Sequence, residues 1–221
     1  NIGITGWDYA QSAMLINIET GCEEQDVTWQ QFTPHGPRSL LPLPGNNASL
    51  VWYDDANRIA QLSQLTNNAL KKQIDQYFPA RLDRDFKVVN KASFKLTRRH
   101  AQRYYSDNLV ILGDAAHTIN PMAGQGVNLG FKDVKALQVV IASAIAQGEC
   151  WHDQSVLKRY EAMRRNDNLL MQSTMDALYH AFSHPSPLIK TLRNASLFAV
   201  NKLPILSTTI RNKALAYACG L

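Results

Sequence analysis

Residues 109–130 narrow the choice of fold more than any other stretch of this 221-residue chain. Leu109, Val110, Ile111 and Leu112 form a short apolar run between Asn108 and Gly113, which predicts a strand buried on both faces. The loop that follows reads Gly113-Asp114-Ala115-Ala116-His117-Thr118-Ile119-Asn120-Pro121-Met122-Ala123-Gly124-Gln125-Gly126. From Val127 to Gln147 apolar residues recur with helical spacing, and Gly148 stands where a helix is capped. Open α/β sheets bind ligands just past the carboxyl ends of their strands, where Asp114 falls, and a carboxylate there accepts hydrogen bonds from sugar hydroxyls. Ala115 and Ala116 leave room for a ligand, Pro121 stiffens the loop, and the Gly124-Gln125-Gly126 turn exposes backbone N–H groups at a helix N-terminus, a place that favours negative charge. His117 is expected to tie loop backbone groups together. Taken alone, the same residues also fit a plainer role, with Asp114 capping a helix and the glycines turning the chain.

Ahead of this stretch the chain reads as strands. Ser12 to Ile18 is apolar, Val27 to Phe32 nearly alternates, and Arg38 to Leu43 and Ala48 to Tyr53 are short runs punctuated by Pro34, Gly36, Pro37, Pro42, Pro44 and Gly45. An antiparallel meander is expected there. Thr66 caps a helix that carries Leu70, Ile74, Tyr77 and Phe78 on one face and stops at Pro79, and Ala92 to Leu96 returns as a strand. From Ser155 the pattern is helical until His184-Pro185-Ser186-Pro187, and two shorter helices separated by Pro204 follow, the second with Leu206, Ile210, Ala214 and Ala218 on one side.

A chain that is 45% hydrophobic and 19% charged has the material for a core and is neither disordered nor collagen-like. Cys22, Cys150 and Cys219 are odd in number and far apart, so no disulfide framework or C-x-x-C pair is expected, and a reducing compartment fits. The apolar stretch Ala136 to Ala146 is too short to cross a bilayer. Net charge is +5, and placement matters more than size: residues 1–150 carry 14 basic and 14 acidic side chains, residues 151–221 carry 9 and 4. Arg164, Arg165, Lys190, Arg193, Lys202, Arg211 and Lys213 stand among apolar residues, a mixture suited to an anionic membrane surface or an acidic partner, or to a solvated helix face. Nucleic acid is not expected, because no helix-turn-helix, zinc-finger or RNP pattern accompanies the charge.

The string Gly113-Asp114-Ala115-Ala116-His117, then Pro121, then Gly124-Gln125-Gly126-x-Asn128-x-Gly130 resembles the second flavin-binding signature of the FAD-dependent aromatic-ring hydroxylases, the monooxygenases of the 4-hydroxybenzoate hydroxylase type. More narrowly the chain resembles the ubiquinone-biosynthesis hydroxylases, through Ile4-Thr5-Gly6-Trp7-Asp8-Tyr9, Phe32-Thr33-Pro34-His35-Gly36-Pro37-Arg38-Ser39, Leu50-Val51-Trp52-Tyr53-Asp54, Leu96-Thr97-Arg98-Arg99-His100-Ala101 and Ala214 to Leu221. The resemblance implies an α/β protein, α+β over these residues: an antiparallel substrate-domain sheet with its helix (1–105), a remnant of the Rossmann-like FAD-binding domain (106–150) and C-terminal helices (151–221). It implies that Asp114 holds the ribityl and pyrophosphate region of FAD, that Pro121 lies beside the isoalloxazine ring, that Gly124, Gln125 and Gly126 present backbone to its pyrimidine edge, and that Asn128 contacts the O2 or N3 region.

The activity implied is hydroxylation of a polyprenylated quinol ring with NAD(P)H and O2, the flavin carrying the chemistry, so that no metal cluster or catalytic triad is required in the motif. Phe32, Arg38 and Trp52, with Trp29 and Leu40, are candidates for the substrate wall, and ordinary core or surface is the alternative for each. Expected partners are the prenyl quinol, companion ubiquinone-biosynthesis proteins and a membrane surface, with a cytoplasmic location and the homo-oligomeric state left open. The family opens with a G-x-G-x-x-G unit for the ADP half of FAD, and these residues contain none. A C-terminal fragment that binds FAD poorly by itself is therefore expected. Two other readings remain: a sister hydroxylase with a different aromatic substrate, and a scaffold that lacks its cofactor half.

Overall fold

The computed structural model describes residues 2–21, 25–184, 186–202, 208–209 and 212. Two units emerge: one of Asp8–Leu96 with Phe182–Pro185, the other of Asn1–Trp7, Thr97–Ala181 and Ser186–Leu221.

The first unit is built on period-two burial. In β1 (Ile4–Thr20), Met14, Ile16 and Ile18 face inward while Leu15 and Glu19 face out. They meet Trp52, Leu50 and Ala48 of the antiparallel β4 (Asn47–Asp55). β2 (Trp29–Thr33) and β3 (Gly36–Pro42) form a hairpin on β4, so β2, β3 and β4 make the expected meander. β1 then enters between β4 and β5 (Phe86–Ala101), an order that sequence periodicity did not reveal.

Against the inner face pack α1 (Ala56–Ser63), absent from the sequence reading, and α2 (Asn67–Tyr77), through Ile59, Leu62, Leu70 and Ile74. Each is capped by a side chain: the Asp55 carboxylate accepts from Asn57 N at 2.9 Å and the Thr66 hydroxyl from Ala69 N at 3.3 Å. Phe78 is extended, as the residue before Pro79 must be, and the helix stops as expected.

In the second unit, the end of β5 pairs with β8 (His117–Thr118), and β6 (Tyr105–Ser106) pairs with β7 (Leu109–Val110). The strand expected over Leu109–Leu112 is therefore shorter and less buried than its composition suggested. Leu109 is 55% exposed, because β7 has an antiparallel partner of only two residues, and Ile111 N–H turns instead to the Tyr104 carbonyl at 2.8 Å. α3 (Gly126–Ala146), α4 (Gln154–Ser183, its end assigned to the first unit) and α5 (Pro187–Lys202) follow. α3 and α4 bury Ala136, Val140, Ala144, Val156 and Tyr160 with Tyr104 and Ala116. Of the helix expected beyond Pro204 only residues 208, 209 and 212 are described, and they are helical; Leu206, Ile210, Arg211, Lys213, Ala214 and Ala218, with the cysteines Cys22 and Cys219, lie outside the described residues.

Candidate functional site

The flavin-signature loop is held in two short 3₁₀ turns. The first, Gly113–Ala115, begins on a glycine at φ +58°, and the second, Pro121–Ala123, ends on Gly124 at φ +63°. Both need the left-handed region, which glycine enters without strain. Asn120 starts the second turn by accepting Met122 N–H at 3.3 Å, and Pro121 supplies the backbone angle of its first position.

Asp114 is exposed, and its Oδ1 lies 3.9 Å from where a side chain on Gly126 would start. Its carboxylate thus stands at the N-terminus of α3, where Gln125 supplies no side-chain cap. Asn128, on the first turn, donates to Gln125 Oε1 at 3.3 Å, and Gln125 donates to the Ala123 carbonyl at 3.4 Å. Pro121 and Gly124 are exposed, and nothing lies within 4 Å of a side chain built on Gly124. The structure therefore brings Asp114, Pro121, Gly124, Gln125, Gly126 and Asn128 together around one open helix N-terminus. Free N–H donors, open space over a glycine and a solvent-facing carboxylate can accept a ligand carrying hydroxyls and partial negative charge.

Beneath the loop lies a buried polar network that the sequence reading missed. Asp133, fully buried in α3, accepts from Gly113 N at 2.9 Å and His117 Nε2 at 2.5 Å on one oxygen, and from Arg164 Nε at 2.8 Å and Asn168 Nδ2 at 3.2 Å on the other. Arg164 also donates to Asn168 Oδ1 at 2.8 Å and Asp167 at 2.7 Å. Burial pushes the Asp133 carboxyl up, but the bonds from His117, Arg164 and Gly113 outweigh it and hold the group at about 2. Because a carboxylate only accepts, His117 Nε2 carries the proton. His117 does stay inside the loop, but it is tied to a helix side chain rather than to loop backbone.

The chain of bonds continues. Asn168 donates to Tyr104 OH at 3.4 Å, which meets His100 Nε2 at 3.2 Å, and His100 Nδ1 meets Gln172 Oε1 at 2.8 Å. Gln172 donates to the carbonyls of Arg99 and Thr118, so α4 clamps the β5–β8 pair. Burial lowers the pKa of His100 and raises that of Tyr104 to about 12. Two signals in the sequence point to this network. Asp133 shares the stripe of Leu129, Ala136 and Val140, and Arg164 and Asn168 share that of Tyr160 and Met171. A charge on a buried stripe must be paired.

The substrate-wall candidates lie in the other unit and do not share one environment. Phe32 is 41% exposed and stacks on Phe182 at 4.2 Å. Trp52 is wholly buried, edge-on to Phe78 at 5.3 Å and donating to Asp54 at 3.1 Å. Arg38 is also buried, over the Trp52 ring at 5.4 Å and bonded to the Tyr77 carbonyl at 2.6 Å. Outside the signature, Cys150, His152 and Asp153 bring ligand atoms within 4.8 Å of one another at the α3–α4 turn. Among the described residues no helix is long and apolar enough to cross a membrane.

A family model described as FAD binding domain matches residues 9–172. The chain is 48% identical over 220 residues to the 3-demethoxyubiquinol 3-hydroxylase of Escherichia coli K12, covering 100% of this chain and 55% of that protein. It is 34% identical to the ubiquinone hydroxylase UbiL of Rhodospirillum rubrum, covering 91% and 47%. The chain thus spans about half the length of these relatives. The crystal structure of p-nitrophenol 4-monooxygenase PnpA from Pseudomonas putida DLL-E4 shares the fold, with a TM-score of 0.74 at 17% identity over 99% of this chain and 55% of that one.

Proposed function

The chain belongs to the FAD binding domain family, and from that premise we propose that it forms part of a flavin-dependent monooxygenase that hydroxylates a polyprenylated benzoquinol ring in ubiquinone biosynthesis. The observation that carries the reading is the placement of Asp114 at the uncapped N-terminus of α3, in a chain whose whole length aligns with 55% of a 3-demethoxyubiquinol 3-hydroxylase. Bound FAD would supply the redox and oxygen-transfer chemistry, with NAD(P)H as electron donor and O2 as oxygen source.

The residues of this chain bind and orient. The Asp114 carboxylate accepts hydrogen bonds from ribityl hydroxyls. The first N–H groups of α3 would favour negative charge on the part of the flavin held beside them. Gly124 lets backbone approach the ring, Pro121 keeps the turn rigid, and Asn128, braced by Gln125, offers an amide on the first helical turn. Of the three wall candidates, Phe32 has surface to offer a substrate.

The prenyl tail gives a reason for apolar surface among basic residues. α5 exposes Leu188, Leu192 and Phe198 beside Lys190 and Lys202, which supports docking on an anionic membrane. Arg164 has no part in that face, being buried against Asp133. Vesicle flotation of the full-length protein checks this contact: the wild type is expected to float and Arg211→Glu/Lys213→Glu to float less, and a wild type that stays at the bottom counts against it.

The primary test is the visible spectrum and product of the full-length protein. Flavin bands, and one labelled oxygen from O2 in the quinol, are expected, and the labelled carbon identifies the ring position. Asp114→Ala should lose flavin on gel filtration. A protein with no flavin bands even after FAD is added overturns the reading.

A further inference from the structure

We propose that Asp133 is a positioning residue of the flavin site, holding the Gly113 amide from inside α3 and thereby setting where Asp114 stands. The inference rests on the flavin reading above and goes beyond it, because Asp133 lies under the loop and faces no ligand.

Four donors occupy the Asp133 carboxylate, matching its accepting capacity. Pairing a buried charge needs only Arg164. Two of the four donors, Gly113 N and His117 Nε2, instead come from the loop and bracket Asp114 on either side. A second observation places the loop on the same helix: the Gly130 Cα lies 3.8 Å from where a side chain on Gly113 would start, so loop and helix backbones approach closely one turn before Asp133. A third links the two ends of the site. The first turn of α3 faces the Asp114 carboxylate at Gly126, while Asp133, seven residues or about 10 Å along the same helix, holds the start of the loop. One rigid helix therefore sets the separation between the carboxylate and the N–H groups opposite it. Arg164 and Asn168 hold the other carboxylate oxygen from α4, so the aspartate is fixed by bonds that do not involve the loop. Gly113, at φ +58°, has no side chain to hold this conformation.

The rival explanation is that Asp133 serves only the packing of α3 on α4. Full-length protein separates the two. Asp133→Asn keeps the shape and removes the charge. Val140→Ala, two turns along on the same buried face, loosens the packing while leaving all four hydrogen bonds to Asp133 in place. FAD is titrated into each apoprotein and the apoprotein melting point is recorded alongside. Asp133→Asn should bind FAD about tenfold more weakly than Val140→Ala at a similar loss of thermal stability. Equal affinities, within about twofold, overturn the proposal and leave the flavin reading intact. A wild type that takes up no FAD overturns both. Hydrogen exchange on the wild type needs no variant: the Gly113 amide should exchange as slowly as those in the buried part of α3, and free exchange there overturns the proposal even if Asp133→Asn does not fold.

Discussion

Gly124 sits at φ +63° with open space where a side chain would be, so backbone conformation alone decides what the position tolerates. Gly124→Ala should cost about 1 kcal/mol, read from urea unfolding, since alanine fits the space but resists the left-handed region. Gly124→Val adds bulk over the loop and should weaken flavin binding further. Trp52 poses the opposite case. It is fully buried with Phe78 and Arg38 around it, so Trp52→Ala should destabilise by about 3–5 kcal/mol. A role on the substrate wall would appear instead as a raised KM with the unfolding midpoint unchanged. Arg38, whose burial lowers its pKa, is committed to the Tyr77 carbonyl and lies 3.7 Å from Asp54.

Among the elements, α2 shows how local chemistry sets boundaries. Thr66 opens it, Leu70 and Ile74 bury its inner face, and the extended Phe78 before Pro79 closes it. Thr66→Ala should lower stability by about 1 kcal/mol, measured by chemical denaturation, through the loss of one capping bond. β7 shows the limit of the same reasoning. An apolar run reports how much surface it could bury, whereas neighbouring strands decide how much it does bury. Leu109–Val110 has only Tyr105–Ser106 beside it among the described residues.

For the molecule as a whole, the buried network makes stability depend on pH with a definite sign. His100 has a folded pKa below its ordinary 6.5, chiefly through burial and further through Arg165, His117 and Arg98, against the raising effect of Gln172. Its contribution is present above about 6.5 and is lost as pH falls towards the folded value. Asp133, at about 2 in the fold against an ordinary 3.8, adds a second loss between those values. Thermal melts from pH 7.5 down should therefore decline first below about 6.5 and again below about 4, and His100→Gln should remove the first decline.

Much of this was legible in the chain itself. The apolar run of Ser12 to Ile18 in β1, the cap and the proline stop around α2, and the glycines at 113, 124 and 148 are short-range signals, because backbone angles and neighbouring side chains settle them within a few residues. The candidate flavin loop was legible for the same reason: its residues are contiguous, and the helix that begins at Gly126 turns them towards one opening. Only the tertiary structure could decide that β1 enters between β4 and β5, that Trp52 and Arg38 face inward, and that Asp133 meets His117, Arg164 and Asn168 across 16 to 35 residues. A hydrogen bond forms when packing brings two groups within about 3 Å, and no residue spacing encodes that meeting when the groups sit on different elements.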